Sequence, residues 1–100
     1  MRRRLELHEK LVDIIPNVYF QPPESIKLAY PCIIYQLQNI NSRYANNNNY
    51  KNVKQYSVTV ICEDPDNDYV QTMLDSFELI SFDRFYPADN LNHYSFVLYY

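Results

Sequence analysis

The residues best suited to chemistry crowd into one short run, EDPDND, in which Glu63, Asp64, Asp66 and Asp68 fall within residues 63–68. Asp64, Asp66 and Asp68 occupy positions 1, 3 and 5 of a twelve-residue calcium loop, and Asp75 falls at position 12. A loop of that kind needs a sharp turn at its sixth position, normally a glycine, and a bidentate glutamate at its twelfth. Here Tyr69 and Asp75 stand there, a strand pattern precedes the run, and Val70 to Leu74 belong to an apolar helical stripe. No metal is expected. The run suits the start of a helix instead: Asp64 as N-cap, Pro65 at the first helical position, and Asp66 and Asp68 at the positive end of the helix dipole. On that basis Asp64→Ala should lower stability by about 1 kcal/mol.

The remaining candidates for catalysis do not assemble into a site. His8 lies beside the apolar stripe of the first helix and His93 opens the last strand, with no third ligand at metal spacing. Asp13, Asp83 and Asp89 are scattered acids. The chain contains no glycine at all, which excludes the glycine-rich phosphate loops and the turn that presents a nucleophilic serine. Any left-handed turn then falls to Asn and Asp. Neither an enzyme nor a cofactor is expected.

The elements that would position these residues can be read from periodicity. Leu7, Leu11, Ile14 and Ile15 keep helical spacing until Pro16, predicting a helix over residues 3–15. NVYF, before Pro22 and Pro23, is an edge strand or an extended connector. CIIYQLQNI alternates Ile33, Tyr35 and Leu37 against Cys32, Ile34, Gln36 and Gln38; YSVTVIC alternates Tyr56, Val58, Val60 and Cys62 against Ser57, Thr59 and Ile61. The two form an antiparallel hairpin whose long polar tip is NSRYANNNNYKN. Val70, Met73, Leu74, Phe77 and Ile80 predict a second helix from about Pro65 to Ile80. FDRFY and HYSFVLYY are closing strands joined by PADNLN. The expected fold is α+β: one domain over residues 1–100, a single, mostly antiparallel sheet of four to five strands, and two helices on one face.

Composition narrows the class further. Nine Lys and Arg against twelve Asp and Glu give a net charge of −3, which offers no general footprint for nucleic acid. The basic cluster Arg2 to Arg4 opposes the dipole of the first helix and suits a solvated tail or an acidic partner. Cys32 and Cys62 sit in apolar runs, either as small buried hydrophobes in a reducing compartment or as a bridged pair. No run approaches the ~20 apolar residues that span a bilayer, and MRRRLELHEKL lacks the apolar core of a signal peptide, so synthesis in the cytoplasm is expected. Eleven tyrosines and five phenylalanines suit cross-strand packing, and tyrosine is also enriched at interfaces. An aromatic sheet could stack single-stranded RNA, but the basic surface and signature of such modules are missing.

The segments SFDRFYPADNLNHYSFVLYY, YPCIIYQL and VTVICEDPD resemble the tail terminators, the small tail-completion proteins of long-tailed bacteriophages. The resemblance runs from about Tyr30 to the end, and FDR followed by ADNLNHY is its most particular part. It implies a virion protein of the tail end. Its subunits form a ring, usually a homohexamer, that caps the tail tube, stops its growth and gives the head connector a surface to join. Partners would be other copies of the chain, the tail-tube protein and the connector, with DNA only as passing cargo. A stopper or adaptor of the head-to-tail joint is the alternative, and a small RNA-binding module a second.

Two patches are candidates for the subunit or tube contacts. One is the tip, Arg43, Tyr44, Asn46, Asn47, Asn48, Asn49, Tyr50 and Lys51; the other is Asp83 and Arg84 with Asp89 and Asn90. A polar tip can order on binding, or serve only as a connecting loop. Asp89 and Asn90 also suit a glycine-free turn, and Asp83 with Arg84 an exposed ion pair of small value alone.

Overall fold

The structure is a computed structural model that describes residues 4–40 and 54–100. Their order is α1 (Arg4–Ile14), β1 (Val18–Phe20), β2 (Cys32–Ile40), β3 (Lys54–Cys62), α2 (Tyr69–Ser76), β4 (Ile80–Ala88) and β5 (Leu91–Tyr99). Among these residues one sheet has the strand order β1-β2-β3-β5-β4, antiparallel throughout except for β1, which runs parallel to β2. The α+β class and the mostly antiparallel sheet expected from periodicity are the observed ones.

Cross-strand register explains the alternation seen in the sequence. Ile33, Val60, Tyr94 and Phe85 form one row across β2, β3, β5 and β4; Tyr35, Val58, Phe96 and Phe82 form the next; Leu37, Tyr56, Leu98 and Ile80 the third. These rows make one face. Its interior members Ile33, Tyr35, Tyr56, Val58, Val60, Phe96 and Leu98 share a single core cluster with Leu7 and Leu11 of α1, Ile15, and Met73 of α2. The opposite face carries rows such as Cys32, Ile61, His93 and Tyr86, then Ile34, Thr59, Ser95 and Arg84. Cys32 and Cys62 are both buried and free. Because Cys62 keeps the parity of Val58 and Val60 whereas Cys32 pairs with Ile61, the two thiols lie on opposite faces, so the bridged alternative is excluded.

Of the basic cluster Arg2 to Arg4 only Arg4 lies within the described residues, and its side chain packs onto the fold instead of trailing in solvent. Its guanidinium lies 4.4 Å from the Phe20 ring centroid, and Nη1 donates to the Tyr35 hydroxyl at 3.1 Å. His8 Nδ1 is 2.8 Å from the same hydroxyl. With one lone pair taken by Arg4, the phenol proton is free to be donated to His8. Tyr35, fully buried at the sheet centre, thereby ties α1 down at two points one turn apart.

The second helix is shorter than predicted, running Tyr69–Ser76 rather than from about Pro65 to Ile80, and Asp64 is not its cap. Asp64 Oδ1 instead accepts the Asp66 N–H at 2.8 Å, a local turn that competes with helix. The helix start at Asp68 makes no side-chain cap of its own. Asn67 does that work: its Oδ1 accepts the Tyr69 N–H at 3.0 Å, and its Nδ2 donates to the Asp64 carbonyl at 2.7 Å. At the other end Phe77 is extended, φ −133° and ψ 147°, so Ile80 enters β4 instead of completing the helical stripe.

Candidate assembly surface

β4 is the sheet edge next to β5, and seven of its nine residues are exposed, with only Ile80 and Ala88 half-buried. A long edge strand offers unpaired main-chain donors and acceptors, a hazard that monomeric proteins normally cover or blunt. The Tyr99 N–H donates to the Leu79 carbonyl at 2.9 Å. Antiparallel alternation therefore turns the main-chain groups of Ile80 and Phe82 away from β5.

A register step between Phe82 and Arg84 leaves Asp83 as an extra residue in the ladder. Its consequence is a change of parity. Phe82 and Phe85, three residues apart, would point to opposite faces of a regular strand. Here both stand on the core-side face, Phe82 edge-on to Phe96 at 5.5 Å between centroids and Phe85 tilted against Tyr94 at 5.2 Å. Neither is covered: Phe82 is 43% and Phe85 50% exposed. Arg84 and Tyr86 follow on the other face, where Tyr86 stacks on His93 at 4.7 Å and 16°.

The charges sit at this step. Arg84 Nε is 3.6 Å from Asp83 Oδ2, with side-chain exposures of 73% and 46%; such a pair adds little to stability by itself. The Arg84 guanidinium also lies 5.9 Å from the Tyr86 ring centroid. Asp89 and Asn90 lie at the end of the same hairpin with φ of 54° and 63°. They form a two-residue connection with Ala88 paired to Leu91, the geometry that twists correctly between antiparallel strands and usually takes glycine. Counting back from that closing pair, Phe85 and Pro87 also present their main chain outward, so proline sits where no ladder donor is needed.

Of the candidate residues, the fold therefore gathers Asp83, Arg84, Asp89 and Asn90 on one hairpin. The other candidates, Arg43, Tyr44, Asn46 to Asn49, Tyr50 and Lys51, lie outside the described residues. Phe82, Phe85, Tyr86 and the open edge were not singled out by sequence. The signal was present in the spacing of FDRFYP, whose aromatics break strict alternation and whose proline marks an edge.

Among the described residues, one concavity borders this surface and another lies away from it. One of about 280 Å³ lies on the face opposite the core, lined by Ile34, Ser57, Thr59, Ile61, Tyr86 and His93 among others. The second, about 520 Å³, is bordered by Tyr30, Cys62, Asp64, Asn67 and Tyr69. Among the described residues, no group of three or more His, Cys, Asp or Glu side chains is arranged to hold a metal ion. Asp75 lies within α2, accepting from Gln71 Nε2 at 2.9 Å. Comparison of the chain with protein-family models, with curated proteins and with solved structures finds no match.

Proposed function

We propose that the chain is an assembly subunit of the tail-terminator kind, joining copies of itself into a ring that caps a phage tail tube. The observation that carries this is β4, a nine-residue strand with an open edge and the exposed aromatics Phe82, Phe85 and Tyr86. The segment that resembles the terminators most particularly, from Phe82 through Tyr94, is the same β4–β5 hairpin. The mechanism is surface complementarity, with no covalent step. The edge groups supply directional hydrogen bonds. Burying the exposed half of each phenylalanine contributes roughly 2 kcal/mol. Asp83 and Arg84 set register and select the partner more than they add affinity.

The test uses tail tubes assembled without their capping protein and examined by negative stain. The chain should appear as a ring at the tube end and stop elongation, and Arg84→Glu should abolish capping while leaving the thermal transition of the free chain in place. Tubes that stay uncapped and keep growing in the presence of the folded chain would overturn the proposal.

A further inference from the structure

β4 is complementary to itself. Its central run, Phe82-Asp83-Arg84-Phe85, reads as aromatic, acid, base, aromatic. Laid antiparallel against a second copy about a twofold axis between residues 83 and 84, it sets Asp83 opposite Arg84 of the second copy, and Arg84 opposite its Asp83. Phe82 then meets Phe85 of the second copy, and Ser81 meets Tyr86. We propose that in the free protein two copies pair edge to edge through β4 in this register, making one continuous sheet.

The register step makes the pairing possible. Directly opposed residues must stand on the same face, yet in a regular strand Phe82 and Phe85 would not. The extra residue at Asp83 puts both on the core-side face, against Phe96 and Tyr94. The outward main-chain groups match as well. Phe82 and Phe85 both point theirs away from β5 and can exchange two hydrogen bonds, whereas Ile80 and Pro87, which would also face each other, make only one, because Pro87 has no N–H to donate. Each copy carries the same step, so the two strands keep equal length across the axis.

The pair closes on itself. A twofold contact uses one patch on both partners, so β4 is consumed and no further copy can add there. The opposite sheet edge, β1, has only three residues and offers little for continued growth. Four half-exposed phenylalanines and two interchain ion pairs are covered, but a single strand edge stays below the about 1,200 Å² of a standard interface. Pairing is therefore weak and rises with concentration. This goes beyond the tail-capping proposal and does not require it, since it concerns the chain alone in buffer.

Sedimentation equilibrium across micromolar to millimolar concentration tests it. The wild-type chain should pass from monomer to dimer. Asp83→Arg alone and Arg84→Asp alone set like charges across the axis and should each weaken the dimer about tenfold or more. The double variant D83R/R84D restores opposite charges and should return the dimer to within about threefold of wild type. A wild-type chain that stays monomeric, or a double variant as weak as the single ones, would overturn the pairing. Hydrogen exchange on the wild type needs no variant: the Phe82 and Phe85 amides should gain protection with concentration, and a dimer that leaves them unprotected refutes the register.

Discussion

Replacing Tyr35 by Phe isolates one oxygen atom that the account makes responsible for seating α1. The ring is fully buried and packs against Phe20 at 4.9 Å and Tyr56 at 6.0 Å between centroids, contacts the substitution keeps. What is lost is the hydroxyl shared by Arg4 at 3.1 Å and His8 at 2.8 Å. Hydrogen bonds to a charged donor contribute roughly 1.5–3 kcal/mol. Arg4 and His8 are only half-buried and recover part of that from water, so the net loss should be about 1–2 kcal/mol. For a domain of this size each kcal/mol moves the midpoint by about 4–8 °C, giving a fall of roughly 5–15 °C. Calorimetry with urea titration measures it. A double cycle with His8→Ala should show coupling of about 0.5 kcal/mol or more, because the two groups share one bond. Tyr35→Ala, which also removes the ring, should cost about 3–5 kcal/mol. Wild-type stability in Tyr35→Phe, or a loss as large as for Tyr35→Ala, would refute the role given to the hydroxyl.

Other perturbations reach separate parts of the fold. Asn67→Ala should cost about 1–2 kcal/mol and Asp64→Ala about half as much, because Asn67, not Asp64, supplies the acceptor for the first helical N–H; urea titration of both decides. Asn90→Gly should raise stability by roughly 0.5–1 kcal/mol by relieving a side chain at φ 63°, read as a higher melting midpoint. Burial pushes the Cys32 thiol from 9.0 up to about 11. Burial likewise raises the Cys62 thiol and the Tyr35 and Tyr56 phenols. Between about pH 9 and 11 the unfolded chain has released the Cys32 proton that the native chain still holds, so this thiol lowers stability through that window, and the raised Tyr35 and Tyr56 phenols add to the fall. Cys32→Ala should flatten the decline, and an unchanged slope in urea titrations against pH would contradict it.

Much of the sheet was legible because it depends on local alternation. Ile33, Tyr35, Val58 and Val60 declare their face through period two, and the observed register pairs them as that pattern requires. The absence of glycine pointed to Asp89 and Asn90 as left-handed turn residues, and they are, but the expectation that Asn and Asp take every such position fails at Gln21, whose φ is 45°. The start of α2 was not legible. Asp64, Pro65, Asp66 and Asp68 carry every local preference for a helix start, but the Asp64 and Asn67 side chains close turns with nearby backbone that win before Tyr69. Arg4 was misread for a similar reason: its charge suggested solvent, while its partners Phe20 and Tyr35 are far away in sequence. The candidate surface was half legible. Asp83 and Arg84 stood out as charges, whereas the exposure of Phe82 and Phe85 follows from strand order and a register step, neither of which a single sequence displays.

Hydroxyl-radical footprinting of the chain, free at a dilution where it is monomeric and then bound to uncapped tail tubes, tests most directly whether β4 is the working surface. Oxidation of Phe82, Phe85 and Tyr86 should fall several-fold on the tube. Tyr30, comparably exposed at 39% but remote from β4 in the strand order, serves as the internal reference. β4 aromatics that react as fast on the tube as in the free chain would contradict the account.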